Sequence, residues 1–308
     1  MPSGSEPDTA FQGTPWNAKQ ISRYTFQVFE RKWFENLAEN LPLIRTEGDV
    51  KDLERLDGKP AVVIGAGPSV RKYRHLEALR EVQGNVVIFA TDRMLRECFK
   101  AGLLPDFAVT SDGSDSIKDF YDGLWIEDLK VALSVFTSPK AVSVMEGKRF
   151  WFIPPVDSPF EEKSLTRAVY WMTGGKTILV SLGNVGGMAW NLAYFLGCNP
   201  IFLVGLDYGY GEDTRIEDTI YYEAYVNLCK GNVEEARKCF KWVTNPLGRR
   251  VLVDLNWDVY RFIFTQFADR ASVETFNLSP ESSLFSRKVR YMDMSEFLEK
   301  YGRRSGDG

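Results

Sequence analysis

Ala61-Val62-Val63-Ile64-Gly65-Ala66-Gly67-Pro68-Ser69 is an apolar run that enters a tight glycine turn and then a helix start. A continuous apolar run suits a strand buried on both faces, as strands of parallel sheets are. The turn places the unpaired N–H groups at a helix beginning, and the positive end of the helix dipole, beside glycines that allow close approach. Pro68 suits the first helical turn, and Ser69 can offer its hydroxyl to the backbone or to a phosphate. Gly65, Ala66, Gly67, Pro68 and Ser69 are therefore candidate phosphate-binding residues. The plain alternative is a strand-to-helix turn whose glycines supply positive φ.

Working outward, short apolar runs alternate with helical segments, the pattern of a parallel sheet with crossover helices. Strands are expected at Ala61–Ile64, Val86–Ala90, Phe107–Thr110, Val131–Val135, Phe150–Ile153, Thr177–Val180 and Ile201–Val204. No charged residue occurs from Ile178 to Leu206, yet Gly183, Asn184, Gly186, Gly187 and Cys198-Asn199-Pro200 cut this stretch into strand, helix and strand. The pieces make a buried βαβ unit and no membrane span. The chain thus reads as α/β, a mostly parallel sheet with helices on both faces.

Two additions flank this core. From Ala18 to Asn40 the helical spacing puts Phe26, Phe29, Trp33 and Leu37 on one face and Ile21, Tyr24 and Val28 on another, so a helix packed on two sides is expected. Glu217 to Trp242 reads as a charged, aromatic helical cap with Glu234, Glu235, Arg237 and Lys238 toward water. After it come an apolar run at Val251–Leu255, a helix around Trp257–Asp269, a run at Val273–Phe276 and a helix at Met294–Tyr301. The expected division is a disordered tail at 1–17, an N-terminal helical extension at 18–57, a nucleotide-binding core at 58–210, a helical insert and C-terminal part completing the core at 211–302, and a frayed tail at 303–308.

With 308 residues, 44% hydrophobic and 26% charged, the chain has the composition of a folded globular protein. Its formal net charge of -4 gives no global reason to bind nucleic acid or anionic membrane, so a phosphate site must be local. Cys98, Cys198, Cys229 and Cys239 are scattered, which fits reduced thiols in a cytoplasm, and the N-terminus lacks the basic start and apolar stretch of a signal peptide. Nothing in the composition excludes a homo-oligomer.

Three carboxylates follow expected strand ends: Asp92, Asp112 and Asp207. In open parallel sheets ligands bind beyond the carboxyl ends of strands, so these would gather beside the glycine turn. Oxygen ligands suit Mg²⁺, which is commonly held by one or two carboxylates plus substrate phosphates. Helix capping by each Asp is the structural alternative. Arg93 could clamp a phosphate, and Asn184 could cap the apolar helix that follows or touch ligand. Val70 stands where a dinucleotide turn has its third glycine, and no Gly-Lys-Ser/Thr occurs. Asp92 alone keeps NAD as a minor reading. His75 is the only histidine, so zinc sites built from several histidines are excluded, and a packing or surface role is expected for it.

Gly65-Ala66-Gly67-Pro68-Ser69, Leu104-Pro105-Asp106-Phe107-Ala108-Val109-Thr110-Ser111-Asp112, Gly197-Cys198-Asn199-Pro200-Ile201-Phe202-Leu203-Val204-Gly205-Leu206-Asp207 and Phe276-Asn277-Leu278-Ser279-Pro280 together resemble the MptE-like family. That family contains archaeal 6-hydroxymethyl-7,8-dihydropterin pyrophosphokinase and the motility-associated (Maf) glycosyltransferases. The resemblance spans roughly Leu41 to Val289. It implies a Rossmann-like domain with the glycine turn at the phosphates and Mg²⁺-dependent diphosphate transfer from ATP to a pterin-like, small-molecule acceptor. It also implies Asp112 and Asp207 as metal ligands, with Asp92 as third catalytic carboxylate. A glycosyltransferase using a nucleotide-activated sugar and a nucleotide-binding protein without catalysis are the alternatives. Distantly similar sialyltransferases use a histidine base, and no histidine follows His75, which weakens a sialyl transfer.

Overall fold

The computed structural model describes residues 18–126 and 128–302, with side chains from Val28 onward. The tails expected at 1–17 and 303–308, and the side chains of Ile21, Tyr24 and Phe26, lie outside the described residues. The strands are β1 (Gly48–Asp49), β2 (Ala61–Ile64), β3 (Val87–Thr91), β4 (Phe107–Thr110), β5 (Lys130–Ser134), β6 (Lys148–Phe152), β7 (Ile201–Val204), β8 (Phe240–Thr244), β9 (Arg250–Asp254), β10 (Thr275–Asn277) and β11 (Val289–Tyr291). The helices are α1 (Ala18–Thr46), α2 (Ser69–Lys72), α3 (His75–Leu79), α4 (Asp92–Lys100), α5 (Lys118–Tyr121), α6 (Pro139–Val142), α7 (Leu165–Met172), α8 (Val185–Phe195), α9 (Tyr222–Leu228), α10 (Val233–Arg237), α11 (Leu255–Ala268) and α12 (Met294–Tyr301).

Nine strands form one parallel sheet in the order β1-β6-β5-β4-β3-β2-β7-β10-β11. The chain builds outward from β2 through β3, β4 and β5 to β6, then returns to lay β7 against the other edge of β2. Strand order therefore reverses between β2 and β7, where Ile64 faces Val204 in register. Every residue of β2, β4 and β7 is buried, because helices cover both sheet faces. Ala61 and Val63 pack with Trp190 and Leu192 of α8, while Val62 and Ile64 pack with Leu79, Cys98 and Phe297 on the opposite face. This is the expected Rossmann-like α/β architecture.

Several local expectations differ. Thr177–Val180 is not a regular strand: it makes only the bridge Ile153 to Ile178, because β1 already occupies that edge of β6 and Asp49 accepts the Thr177 N–H. Within the Glu217–Trp242 region, expected as helical, Phe240 starts β8, which pairs antiparallel with β9 as a separate hairpin. Of the residues expected to face water there, Glu234, Arg237 and Lys238 are exposed and Glu235 is half-buried. The N-terminal helix runs on to Thr46 through Pro42 and buries a single described stripe, with Leu37 and Ile44 in the core and Asn36 and Asn40 donating to the carbonyls of Gly113, Phe136 and Thr137. Val28 and Phe29, expected to pack, are about half exposed, at 50% and 47%. Among the described residues no helix is long and apolar enough to cross a membrane.

Candidate functional site

A cleft of about 460 Å³ opens over the carboxyl ends of β2, β3, β4 and β7, at the reversal of strand order. That is the position where open parallel sheets bind ligands. Gly65, Ala66, Gly67, Pro68, Asp92, Arg93, Asp112, Asn184 and Asp207 all line it, and Ser69 stands immediately behind. One fold-level fact, the crossover from β6 back to β7, thus gathers residues separated by up to 142 positions.

The glycine turn is packed from within. Gly65 N–H donates to Val204 and Gly67 N–H to Gly205, each at 2.8 Å. Ser69 donates its N–H to Asp207 Oδ2 at 2.9 Å and its hydroxyl to Asp207 Oδ1 at 2.7 Å. Asp207, expected among the metal ligands, therefore commits both carboxylate oxygens to Ser69, where a phosphate had been expected at the start of α2. Burial pushes its carboxyl above the ordinary value, opposed by the bonds from Ser69. The glycine requirement also differs from expectation: Gly65 and Gly67 do not adopt positive φ. A Cβ on Gly67 would come within 2.7 Å of both Asp207 Cγ and the Gly205 carbonyl oxygen. Positive φ is supplied by the neighbouring Gly205, at 67°.

On the opposite wall Arg93 and Asp112 are exposed, whereas Asp92 is not. Asp92 is buried, accepting from Arg93 N–H and Thr110 Oγ1 at 2.7 Å each. Burial pushes its carboxyl up to about 6; the Thr110 and Arg93 bonds pull it down, and the nearby negative charge of Asp112 raises it further. Asp112 is exposed at the cleft edge, with one oxygen accepting Ser114 N–H at 2.8 Å. The exposed guanidinium of Arg93 lies 5.8 Å from the centre of the Phe120 ring. Asn184 caps α8, its Oδ1 accepting Gly187 N–H at 2.9 Å. Val185 and Gly186, whose N–H groups no helical carbonyl can reach, open on the cleft at the positive end of this apolar helix.

Aromatic side chains complete the wall, and the sequence pattern did not disclose them. Tyr208, at a φ of 49°, meets Trp257 at 5.5 Å between ring centres, and Tyr221 meets Trp257 at 5.7 Å. Trp257 Nε1 donates to Tyr210 Oη at 3.0 Å, and Tyr210 donates in turn to Asp254 Oδ2 at 3.1 Å. Asp254 is the N-cap of α11 and fully buried; burial pushes its carboxyl up to about 6, against the bonds from Trp257, Tyr210 and Tyr225. His75 lies away from the cleft, buried and stacked on Tyr73, with burial lowering it to about 4. Among the described residues, no three His, Cys, Asp or Glu side chains group closely enough to hold an ion by themselves.

The model of the family described as 6-hydroxymethylpterin diphosphokinase MptE-like matches residues 35–213, more than half of the chain. The chain belongs to the MptE-like family. The matched stretch contains every candidate site residue, whereas Tyr221, Asp254 and Trp257 lie beyond it. Among solved structures, the Maf glycosyltransferase from Magnetospirillum magneticum AMB-1 superposes with a TM-score of 0.58 at 15% identity, over 81% of this chain and 36% of that one. The present chain thus spans about a third of that protein's length, and the likeness is one of fold. No curated protein matches. MptE-like membership carries a transferase-like role.

Proposed function

We propose that the protein is a nucleotide-dependent transferase that moves a diphosphate from ATP to a hydroxymethyl-pterin-like acceptor. The carrying observation is the division of the cleft: one wall offers Arg93 and the start of α8 to phosphate oxygens, and the same wall sets Asp112 beside Asp92. Phosphoryl-type transfer asks mostly for positioning and charge neutralisation, so no histidine base is needed. Asp112 fits a divalent cation as an exposed oxygen ligand whose charge also bears on buried Asp92, while Asp207 accepts one bond from Ser69 on each oxygen and is the second candidate ligand. Mg²⁺ bound there would neutralise charge on the phosphates. Gly67 and Asp207 shape the floor, and the Tyr208–Trp257–Tyr221 wall shields one side from water.

A Maf-like transfer from a nucleotide-activated sugar is the second reading, favoured by the likeness of fold to a Maf glycosyltransferase and by the 214–302 segment outside the family match. Melting the protein with ATP, CTP, GTP, UDP-sugars and CMP-sugars, with and without Mg²⁺, separates the two. A ligand at a hundred times its dissociation constant adds about 2.7 kcal/mol. ATP with Mg²⁺ is expected to stabilise most. A sugar nucleotide in that place would favour the second reading, and NAD above every nucleotide would overturn both.

A further inference from the structure

The region beyond the family match holds a pair of thiols that the cleft does not use. Cys229 follows α9 and Cys239 precedes β8. Both belong to a small apolar core with Tyr225, Phe240, Leu252 and Leu255, on which Tyr210 and Tyr221 of the cleft wall also pack. The chain between the two cysteines doubles back. Lys230 at a φ of 54° and Gly231 at 86° make the turn, the Gly231 N–H donates to Val226 at 2.8 Å and the Asn232 N–H to Cys229 at 3.0 Å, and α10 then packs on α9. This reversal sets the two side chains together, and their thiols interact.

The pair is uneven. Cys239 is fully buried, and burial pushes its thiol up to about 12, with the neighbouring Cys229 raising it further. Cys229 is part-exposed. Cys98 and Cys198 are buried in two other parts of the core, where burial pushes each thiol up to about 12 as well. Thiolate character and access decide which cysteine an oxidant meets. Cys229 is thus the one open to attack, and Cys239 is the partner beside it.

We propose that Cys229 and Cys239 form a modification site, closed by a hydroperoxide into a disulfide that fastens α9 to β8. The Cys229 thiolate sulfur attacks one peroxide oxygen, the O–O bond breaks, and the departing hydroxide takes up the thiol proton as water. The Cys239 sulfur then attacks the sulfenic sulfur; the S–S bond forms, the S–O bond breaks, and the second hydroxide leaves as water with the Cys239 proton. Two thiols are oxidised and the peroxide is reduced to two waters. The clamp adjoins the cleft wall: Tyr225 of α9 meets Phe240 at 5.5 Å between ring centres and donates to Asp254 at 3.2 Å, while the Leu255 N–H donates to the Cys239 carbonyl at 3.0 Å. Closing the pair therefore fixes the unit that presents Tyr221 and Trp257 to the cleft. The inference goes beyond the transferase reading and does not depend on it.

The test treats the reduced full chain with hydrogen peroxide, counts free thiols in denaturant and maps cross-linked peptides by mass. Wild type is expected to lose two of its four thiols and to carry a link from Cys229 to Cys239 within one chain. The linked protein is expected to melt about 5 °C higher until dithiothreitol restores it, since a link across a short loop removes freedom from the unfolded chain. Cys229→Ser is expected to keep its remaining thiols, and Cys239→Ala to stop at a sulfenic acid on Cys229 that dimedone traps. Survival of all four thiols in wild type, or a link that involves Cys98, Cys198 or a second chain, would overturn the proposal. An unchanged melt of the linked protein would overturn the clamp. The wild-type map decides the matter even where a variant fails to fold.

Discussion

On the β2–β7 side of the cleft, glycines and a carboxylate spend their hydrogen bonds on each other: Gly67 donates to Gly205, and Ser69 donates twice to Asp207. On the β3–β4 side Arg93 and Asp112 are exposed, and Val185 and Gly186 at the start of α8 line the cleft. An Asp after a strand is structural where it is buried, as at Asp207 and Asp92, and available for ligand where it is exposed, as at Asp112. Burial decides between them, because a buried carboxylate must be satisfied by the protein and an exposed one need not be.

Gly67 is where the packed side is most sensitive to substitution. Gly67→Val would drive its side chain into Asp207 and the Gly205 carbonyl, and overpacking of this kind is expected to cost about 3 kcal/mol or more in denaturant unfolding. A variant of wild-type stability would show that the turn has room and is not packed as described.

Asp254, on the aromatic wall, sharpens the same contrast through pH. Its folded value is raised from 3.8 to about 6, so the folded state binds the proton more tightly than the unfolded chain does. Stability from this group is therefore present below pH 3.8 and lost as pH rises to about 6. By linkage the loss is about 3 kcal/mol. Asp254→Asn keeps a capping side chain and should flatten this part of the pH-stability curve, read from urea midpoints. An unaltered slope would mean that Asp254 titrates normally.

Asp207→Ala leaves the N–H and hydroxyl of buried Ser69 without an acceptor, for an expected loss of about 2 kcal/mol. Asp112→Ala, on the exposed side, should stay within about 0.5 kcal/mol of wild type. Equal losses in thermal melts would erase the distinction between the two walls. The smallest effect belongs to Arg93→Ala, which should weaken ATP about tenfold in calorimetry, the scale of one charge-assisted contact, with no change in melting.

Much of this was legible in the chain. Ala61–Ile64, Phe107–Thr110 and Ile201–Val204 announce themselves because both faces of each strand are buried, so the apolar run is unbroken and its bounds are sharp. The cleft follows from them, since residues just after such strands share one sheet edge. β1 and β11 were not legible, as two- and three-residue strands carry no periodicity. β8 could have been found: Asn245-Pro246-Leu247-Gly248 is a turn signal between Phe240–Thr244 and the apolar run of β9, with Gly248 at a φ of 76°. The contact of Asp207 with Ser69, 138 residues apart, and the meeting of Tyr208, Tyr221 and Trp257 depend on topology alone.

The open wall, not the packed turn, is expected to handle a metal-bound nucleotide. Melting of wild type and Asp112→Asn with ATP, in Mg²⁺ and in EDTA, tests it most directly. Asparagine keeps the shape of the side chain and removes its charge. Expected are equal melts without ligand, a stabilisation of about 2.7 kcal/mol in wild type at a hundredfold excess over the dissociation constant, and loss of the Mg²⁺-dependent part in Asp112→Asn. Full Mg²⁺-dependent stabilisation of Asp112→Asn by ATP would contradict it.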